Sequence, residues 1–349
     1  MALLLPIEKF LPEYMAAKPL LIDARSPAEY LHAHIPGAVN LPLLNDEQRA
    51  IVGTTFKKEG REAAVLKGFD LVGPQFGDIV RQAKSMTDDR EVFIYCWRGG
   101  LRSNIIAWVL GTGGFHTTVL KAGYKSYRRW VLNELDKDRK YIVLGGRTGS
   151  GKTEILKALA KYVPVIDLEG LAHHKGSAFG HLGQPPQPGN EYYENLLAEK
   201  LVAIPENATV WIENESQNVG SAKVPAKLYQ GIRESFTVEV VLNEEDRKKR
   251  ILKEYGVFPA GLLAETTKKI RKRLGEVRLK EALEHLQQGN LEAWVVMMLA
   301  YYDKMYNYGM ELRDKSTVLQ IDVSPLADTD AAANKILSGV GSFKIKQTV

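Results

Sequence analysis

The chain has 349 residues, which is too long for one ordinary hydrophobic core and predicts two domains. Hydrophobic residues make up 45% and charged residues 26%, as in globular proteins, and no apolar run is long enough to span a bilayer. The one cysteine excludes an internal disulfide framework and a cysteine-rich metal site. The formal net charge of +5 is mild, so the distribution of charge is more informative than its total.

The chain opens on a short apolar segment, Met1-Ala-Leu-Leu-Leu-Pro6. It lacks a basic flank and is too short for the pattern of a signal peptide. We therefore expect a cytoplasmic protein.

The first third of the chain alternates apolar runs with turn signals. Four short strands are predicted, and the third ends at the cysteine: Pro19–Asp23, Ala38–Leu41, Glu91–Tyr95 and Thr117–Leu120. A helix is predicted at Asn104–Leu110. Strands separated by helices imply a parallel sheet.

The second part of the chain repeats this strand–loop–helix pattern. The predicted strands are Tyr141–Leu144, Val163–Asp167, Thr209–Ile212 and Phe236–Leu242, and a helix is predicted at Lys152–Tyr162. A Pro/Gly-rich loop lies at His181–Gly189, and from about Glu244 to Arg313 the pattern becomes helical.

Together these elements predict an α/β protein of two parallel-sheet domains. The first domain covers residues 1–135, and the core of the second covers 140–242. A mainly helical, basic region over 243–349 completes the second domain. The boundary is placed in the charged stretch Asp136–Lys140.

Cys96 ends a strand and is followed by Trp-Arg-Gly-Gly-Leu-Arg-Ser and then a helix. Successive backbone N–H groups of a tight loop, together with a helix N-terminus, favour an anion such as a thiolate. Arg98 and Arg102 add positive charge, and the two glycines permit the backbone turns of such a cradle. The alternative is a buried small hydrophobe, the usual role of a lone cysteine.

This loop and the segments Asp23–Tyr30 and Ala33–Pro42 resemble the rhodaneses. The resemblance implies a rhodanese-like domain that carries sulfur, or occasionally selenium, on the loop cysteine. Five residues separate Cys96 from Arg102, a longer loop than in many small sulfurtransferases. It resembles the phosphatase-like branch and suits a tetrahedral anion such as phosphate or selenophosphate. His32 and His34 are interpreted as structural.

A second anion cradle follows the strand Tyr141–Leu144. The segment from Gly146 to Thr153 satisfies G-x-x-x-x-G-K-T between a strand and a helix, the pattern of a P-loop NTPase-like domain. Its amides would cradle phosphates, its lysine would reach their outer oxygens, and its threonine would bind a magnesium ion. A diphosphate ester would suit the loop as well as ATP. The phosphate-binding residues are Gly146, Arg147, Thr148, Gly149, Ser150, Gly151, Lys152 and Thr153.

Acidic residues end two of the strands predicted beside this loop. Asp167 and Glu213 are candidates to hold a metal or a water, with Glu169 and Glu215 as weaker ones; the alternative for each is a solvated strand end. A basic, Gly-rich loop containing His174 and Ser177 follows Asp167. It is interpreted as handling an anionic substrate, against the alternative of an ordinary surface loop.

Positive charge is concentrated in the helical region. Between Glu244 and Lys280 there are twelve Lys/Arg against six Asp/Glu, so the rest of the chain carries about −1. Ile270, Leu274 and Val277 are expected on an inner helix face, and a basic outer face would neutralise nucleic-acid phosphates. The alternative is a solvated helix face. The candidate nucleic-acid-binding residues are Arg247, Lys248, Arg250, Lys268, Lys269, Lys272 and Arg273.

Four tyrosines, Tyr301, Tyr302, Tyr306 and Tyr308, are candidates to stack on bases. Their spacing favours packing in a helical core instead.

Several segments in this order resemble tRNA 2-selenouridine synthases over most of the chain, from about Leu20 onward. They are Cys96–Ser103, Lys121–Trp130, Gly145–Thr153, Asp167–Gly180 and Trp211–Ser216. The resemblance implies that wobble 2-thiouridine of tRNA is geranylated from geranyl diphosphate and that selenium from selenophosphate then replaces the sulfur. It places Cys96, Arg98 and Arg102 in the selenium step. Magnesium and a selenophosphate-supplying enzyme are further candidates, and no membrane partner is expected.

Two other functions remain open from the residues alone. One is a P-loop kinase or ATPase with a regulatory rhodanese module, and the other is a sulfurtransferase or phosphatase in which the P-loop binds a regulator. A non-catalytic RNA-binding adaptor explains neither anion cradle.

Overall fold

The computed structural model describes residues 2–347, with side chains through Ser342. The chain divides into two compact units. The first comprises Met1–Glu134 with Glu194–Glu199, and the second comprises Leu135–Tyr193 with Lys200–Val349. No helix of the described residues is long and apolar enough to cross a membrane.

The first unit is built on a five-stranded parallel sheet in the order β1-β5-β4-β2-β3. The strands are β1 (Leu3–Leu5), β2 (Leu20–Asp23), β3 (Val39–Asn40), β4 (Glu91–Tyr95) and β5 (His116–Leu120). The helices are α1 (Ile7–Ala17), α2 (Pro27–His32), α3 (Asp46–Glu59), α4 (Arg61–Val72), α5 (Phe76–Met86), α6 (Leu101–Thr112) and α7 (Gly123–Leu135), with a 3-10 turn at Gly73–Gln75.

The four strands predicted in the first third are confirmed, and the parallel sheet with them. The structure adds β1, which forms from the apolar opening of the chain and pairs with β5. Three residues are too few to show a strand period in sequence. Ile22, Ile94 and Val119 come from neighbouring strands and are fully buried, so the core lies against this sheet.

Helices α3 and α4 form a hairpin that joins at Gly60, whose φ is +89°. Asn45 caps α3, because its side chain accepts from the Gln48 N–H and the Gln48 side chain accepts from the Asn45 N–H. None of the residues of α3 is fully buried. The hairpin therefore leaves part of its apolar surface open.

The second unit contains a five-stranded parallel sheet in the order β12-β11-β6-β8-β7 and a short antiparallel hairpin. The strands are β6 (Lys140–Gly146), β7 (Val165–Ile166), β8 (Thr209–Glu213), β9 (Asn218–Val219), β10 (Ala222–Lys223), β11 (Thr237–Val241) and β12 (Val318–Asp322). The helices are α8 (Lys152–Leu159), α9 (Leu168–Ala172), α10 (Asn190–Val202), α11 (Ala226–Glu234), α12 (Glu244–Tyr255), α13 (Ala260–Lys269), α14 (Arg271–Leu274), α15 (Glu276–Gln287), α16 (Leu291–Glu311) and α17 (Thr329–Gln347).

Two details of the C-terminal part differ from the sequence prediction. Strand β12 adds a fifth strand to the sheet from within the mainly helical region. Val277 was expected on an inner helix face but is 81% exposed. Helix α14 ends at Leu274, and Gly275, whose φ is +86°, separates it from α15. Val277 therefore belongs to a new helix, and the helical spacing from Ile270 does not extend to it. The prediction for Val277 was therefore wrong.

Helices α12 to α16 pack around Trp294, which is buried. Its indole N–H donates to Thr267 Oγ1 at 3.2 Å, so the polar atom of this large side chain is satisfied inside the core.

Candidate functional site

The cysteine loop of the first unit runs from the end of β4 to the start of α6. Cys96 is 3% exposed. The backbone N–H of Tyr124 donates to the Cys96 carbonyl at 2.8 Å, and that of Lys125 donates to the Trp97 carbonyl at 3.0 Å. The first turn of α7 therefore holds the loop in place through backbone hydrogen bonds.

Two glycines make this close approach of backbones feasible. A Cβ on Gly123 would lie 2.1 Å from the Cys96 carbonyl oxygen, and one on Gly99 would lie 2.6 Å from the Leu120 carbonyl oxygen. Both glycines have positive φ, +58° and +61° respectively. Gly123 lies in the segment Lys121–Trp130. The sequence did not indicate its role in supporting the loop, because it contacts Cys96, which lies 27 positions earlier in the chain.

The sulfur and its neighbours form a small polar network. Cys96 Sγ lies 3.2 Å from Ser103 Oγ in a hydrogen bond, and Ser103 Oγ donates to the Gly100 carbonyl at 3.2 Å. Ser103 is in the first turn of α6. The thiol therefore lies beside the N-terminal turn of α6.

The two arginines of the loop have different surroundings. Arg98 is exposed to solvent. Arg102 is partly buried and donates to Glu29 Oε2 at 2.5 Å, an ion pair that sequence spacing could not reveal. Burial raises the pKa of Glu29 while the hydrogen bond from Arg102 lowers it, and the resulting pKa lies below its usual value. Glu29 therefore holds Arg102 in position at neutral pH.

The segments that resemble rhodaneses have a supporting role. Arg25 is buried, donates to both carboxylate oxygens of Asp23, and donates to the Ala33 carbonyl at 2.7 Å. Its guanidinium carbon lies 4.0 Å from the centre of the Tyr124 ring. The network therefore ties the end of β2 to the helix that supports the cysteine loop.

His34 is also structural in its contacts, as expected. Its Nδ1 lies 2.9 Å from the Tyr30 carbonyl, and its ring stacks on Tyr30 with 3.9 Å between centroids.

The P-loop of the second unit connects β6 to α8, and it has the geometry of a phosphate cradle. Gly149 and Gly151 have φ of +80° and +79°. Lys152 Nζ donates to the Gly146 carbonyl at 2.7 Å, so the ammonium lies over the loop. Ser150 is 1% exposed, and its hydroxyl has no hydrogen-bond partner in the described part of the chain. The predicted residues are therefore assembled into one loop at the N-terminus of α8.

Arg247 differs from its predicted position on a basic surface. It is 3% exposed, its Nε donates to the Thr148 carbonyl at 2.9 Å, and its other nitrogens bond to both Asp303 oxygens. The Arg247 side chain therefore points from α12 into the unit and contacts the P-loop. Arg247 therefore supports the P-loop, and the structure corrects the expectation that it lies on a basic surface.

The acidic residues gather beside the P-loop, at the carboxyl ends of β7 and β8. Thr153 Oγ1 lies 3.2 Å from Glu169 Oε2, and the Glu169 N–H donates to Glu213 Oε2 at 3.1 Å. Glu213 is 1% exposed. Asp167 instead caps α9, accepting from the Gly170 N–H at 2.6 Å. Asp167 therefore has a local structural role and the glutamates form the cluster.

Burial and mutual repulsion change the ionisation of these glutamates. Burial and the carboxylate of Glu169 raise the pKa of Glu213 well above its usual value. The same causes raise the pKa of Glu215 to about 8. Burial also raises the pKa of Glu169. Glu215 therefore holds a proton near neutral pH and shares it with Glu169 in a hydrogen bond. The sequence had indicated Glu215 only as a weaker candidate of this acidic group.

The loop that follows α9 packs against this cluster. A Cβ on Gly176 would lie 2.8 Å from both carboxylate oxygens of Glu215, and its φ of +63° favours glycine. Ser177 hydrogen-bonds the hydroxyls of Tyr255 and Tyr302. The loop is therefore anchored on the helical region as well as on the glutamates.

His174 is buried, and burial lowers its pKa. Its ring packs against Gly180, whereas His173 Nδ1 lies 2.9 Å from the Pro186 carbonyl. The two adjacent histidines thus point to different partners.

The remaining basic residues lie at or near the surface of the helical region. Lys269, Lys272 and Arg273 are exposed. Lys268 is exposed and pairs with Glu265 at 2.6 Å. Lys248 pairs with Glu245 and Glu292, and Arg250 pairs with Glu154 at 2.7 Å, so these two are engaged within the protein.

The tyrosines of α16 mainly pack inside the unit, as their spacing favoured. Tyr301 is buried, and Tyr302 accepts from the Ala178 N–H at 3.2 Å. Tyr308 is 64% exposed.

Family models match both units. A model described as "Rhodanese-like domain" matches residues 9–130, and a model described as "tRNA 2-selenouridine synthase AAA domain" matches residues 139–265. These matches cover the cysteine loop and the P-loop respectively.

Curated proteins named tRNA 2-selenouridine synthase are similar to the chain over most of its length. The protein of Sulfurovum sp. (strain NBC37-1) is 37% identical over 337 residues, which cover 86% of this chain and 90% of the relative. That of Psychromonas ingrahamii is 36% identical over 324 residues, covering 83% and 88%. That of Pseudomonas fluorescens is 37% identical over 329 residues, also covering 83% and 88%. The chain therefore belongs to the tRNA 2-selenouridine synthases and is a tRNA-modifying transferase.

Proposed function

We propose that the enzyme replaces sulfur by selenium at the wobble 2-thiouridine of tRNA through an S-geranylated intermediate, with geranyl diphosphate and selenophosphate as cosubstrates. The observation that carries the proposal is the presence of two different anion cradles, one in each unit. One contains a cysteine and the other contains none, so they suit two chemically different steps. Both cosubstrates bear phosphate groups, and a glycine-containing loop at a helix N-terminus is suited to such anions.

The first step is assigned to the P-loop. The sulfur of 2-thiouridine attacks C1 of geranyl diphosphate, the C1–O bond breaks, diphosphate leaves, and the base loses its N3 proton. Lys152 and the loop amides stabilise the charge on the leaving diphosphate. Glu215 and Glu169 share a proton beside Thr153 and are candidates to accept or return one there.

The second step is assigned to the cysteine loop. The selenium of selenophosphate attacks C2 of the S-geranylated base, the C2–S bond breaks, and geranyl thiol leaves. Water then breaks the Se–P bond, which releases phosphate and leaves selenium on C2 with a proton on N3. Arg98 and Arg102 would hold the anionic donor, and Cys96 would contact the selenium or the displaced sulfur.

Magnesium is a further candidate at the P-loop. Thr153 Oγ1 and Glu169 Oε2 lie 3.2 Å apart and offer the oxygen atoms that this ion prefers. Within residues 2–347 no group of three His, Cys, Asp or Glu side chains is arranged to hold a metal. These residues therefore fit a magnesium ion that is bound mainly through substrate phosphates, which it would neutralise.

The exposed basic residues of the helical region, Lys268, Lys269, Lys272 and Arg273, are proposed to contact the tRNA backbone. Their charge is suited to phosphates and carries no base specificity. A cytoplasmic location and supply of selenophosphate by a separate enzyme complete the proposal.

The proposal is tested with a 2-thiouridine anticodon stem-loop, both cosubstrates and mass spectrometry of the nucleosides. Wild-type enzyme should give geranyl-thiouridine and selenouridine. Cys96→Ser should give geranyl-thiouridine alone. Lys152→Ala should give neither product from 2-thiouridine, but should install selenium in a stem-loop that is geranylated beforehand.

Full selenation by Cys96→Ser would remove the cysteine from the second step. Unchanged thiouridine with wild-type enzyme, together with ATP hydrolysis that does not depend on tRNA, would favour a P-loop ATPase with a regulatory rhodanese module.

A further inference from the structure

The first unit contains an open cavity of about 740 Å³ between the α3–α4 hairpin and the start of α6. This volume lies within the range of about 300–1,000 Å³ that is common for small-molecule sites. We call it the hairpin pocket. Its apolar walls include Val52, Phe56, Val65, Phe69, Leu101 and Ile105.

The apolar side chains of the hairpin pocket are unusually exposed. Phe56 is 57% exposed, Phe69 is 49% exposed, and Leu101 is 50% exposed. Single exposed apolar residues are ordinary on a protein surface, but several around one cavity are typical of a binding site. The pocket therefore suits an apolar chain.

The charged residues that line the hairpin pocket are all basic: Arg49, Lys57, Arg61 and Arg102. Arg49 and Arg102 both pair with Glu29, while Lys57 and Arg61 are exposed. An apolar cavity with a basic rim is complementary to a molecule that joins an apolar chain to an anionic part.

The hairpin pocket is continuous with the cysteine loop through Leu101 and Arg102, which belong to both. Ser103, the next residue, bonds to the Cys96 sulfur at 3.2 Å. A molecule that fills the pocket therefore has one end beside the proposed site of selenium transfer.

We propose that the hairpin pocket holds the geranyl chain of S-geranylated tRNA during the replacement of sulfur by selenium. The basic rim contacts the phosphates next to the modified nucleotide, and the geranyl thiol leaves into the pocket. This inference rests on the geranylated intermediate of the proposed function. It assigns the substrate class that the rhodanese-like unit recognises, which is a prenylated nucleic acid.

Geranyl diphosphate also combines an apolar chain with an anionic group, so the test must separate it from geranylated RNA. Gly53 lines the pocket on α3, and a Cβ added there meets open space. A Gly53→Phe variant therefore adds an aromatic ring at the wall of the pocket from a position with room for its Cβ. Gly111 on α6 is a matched control, because a Cβ there also meets open space but the residue does not line the pocket.

Dissociation constants should be measured for stem-loops with 2-thiouridine and with S-geranyl-2-thiouridine. Wild-type enzyme and Gly111→Phe should bind the geranylated form at least about 30-fold more tightly, because the chain is buried. Gly53→Phe should lose about tenfold or more of that preference with its affinity for the 2-thiouridine form unchanged. It should still geranylate but install selenium slowly.

Wild-type preference for the geranylated stem-loop in Gly53→Phe would overturn the pocket assignment while leaving the two-step function intact. Loss of geranylation with normal selenation of a geranylated stem-loop would also overturn it, since the pocket would then hold geranyl diphosphate. If wild-type enzyme made no geranyl-thiouridine and showed no preference, the proposed function itself would fail. Exposed Arg61→Glu should weaken binding of both stem-loops, and an unchanged affinity would contradict the role of the rim.

Discussion

At the scale of single residues, Arg247 shows how position decides the role of a charge. Its neighbours in sequence are basic and predict a nucleic-acid surface. The structure buries it and pairs it with Asp303 and the Thr148 carbonyl. A buried guanidinium requires such partners, because an unpaired buried charge costs several kcal/mol. Its partners lie 56 and 99 positions away, so no local pattern could identify them.

The protonated state of Glu215 gives a prediction about pH. Its pKa is raised to about 8 in the folded protein, chiefly by burial and then by Glu169. Between the ordinary glutamate value of about 4.3 and pH 8 the folded state binds more protons than the unfolded state, so its contribution to stability falls as pH rises. Glu215→Gln removes this loss, and its Tm relative to wild type should increase from pH 5 to pH 8.5.

The control for this measurement is Glu62→Gln, at an exposed position of α4. Its Tm difference from wild type should stay constant over the same range. A constant difference for Glu215→Gln as well would show that Glu215 is ionised in the folded protein at neutral pH.

At the scale of elements, the cysteine loop depends on the helix that follows β5. Cys96 follows the carboxyl end of β4, an inner strand of the sheet, and backbone N–H groups in the first turn of α7 donate to carbonyls of the loop. Sequence alone indicates the strand, the loop and α6. It does not indicate that α7 returns to the same loop, because that contact depends on strand order.

Gly123→Ala tests this dependence. Its Cβ would lie 2.1 Å from the Cys96 carbonyl oxygen, and its φ of +58° is unfavourable for alanine by about 1–2 kcal/mol before the clash is counted. We expect a lower Tm and loss of selenium transfer to a geranylated stem-loop, with phosphate binding at the P-loop retained. Gly111→Ala has open space at its Cβ and should keep both activities. Normal selenium transfer by Gly123→Ala would show that the loop tolerates displacement.

At the scale of the whole molecule, the basic residues are concentrated in one stretch of the chain. The cysteine loop follows β4 and the P-loop follows β6, whereas this stretch lies in helices α12 to α15. Lys248 and Arg250 form salt bridges within the protein. Lys269 and Lys272 are exposed and remain suited to a long anionic partner.

This concentration of charge predicts a salt effect on binding. For the double variant Lys269→Ala/Lys272→Ala, the logarithm of the binding constant for the stem-loop is plotted against the logarithm of the salt concentration. The slope should decrease in magnitude by about 2, which is about one for each lost phosphate contact. Steady-state geranylation at saturating stem-loop should stay close to wild type. A Lys9→Ala/Lys84→Ala enzyme, altered on exposed positions of the first unit, should keep the wild-type slope. An unchanged slope in the first variant would mean that the tRNA binds elsewhere.

The sequence by itself determined the α/β class, most strands of both sheets, and the positions of the cysteine loop and the P-loop. These features depend on short-range patterns: an apolar strand, then glycines and a lysine or cysteine at fixed spacing, then a helix. It did not indicate strands β1 and β12, which are recognisable only through their pairing with β5 and β11.

Only the tertiary structure decided how the cysteine loop and the P-loop are supported and which basic side chains are exposed to solvent. Gly123 beneath the cysteine loop, Arg247 against the P-loop and the shared proton of Glu215 all depend on contacts between residues distant in sequence. So does the hairpin pocket, whose walls come from α3, α4 and α6. Burial and ion pairing are properties of three-dimensional neighbours, and the order of the strands brings those neighbours together.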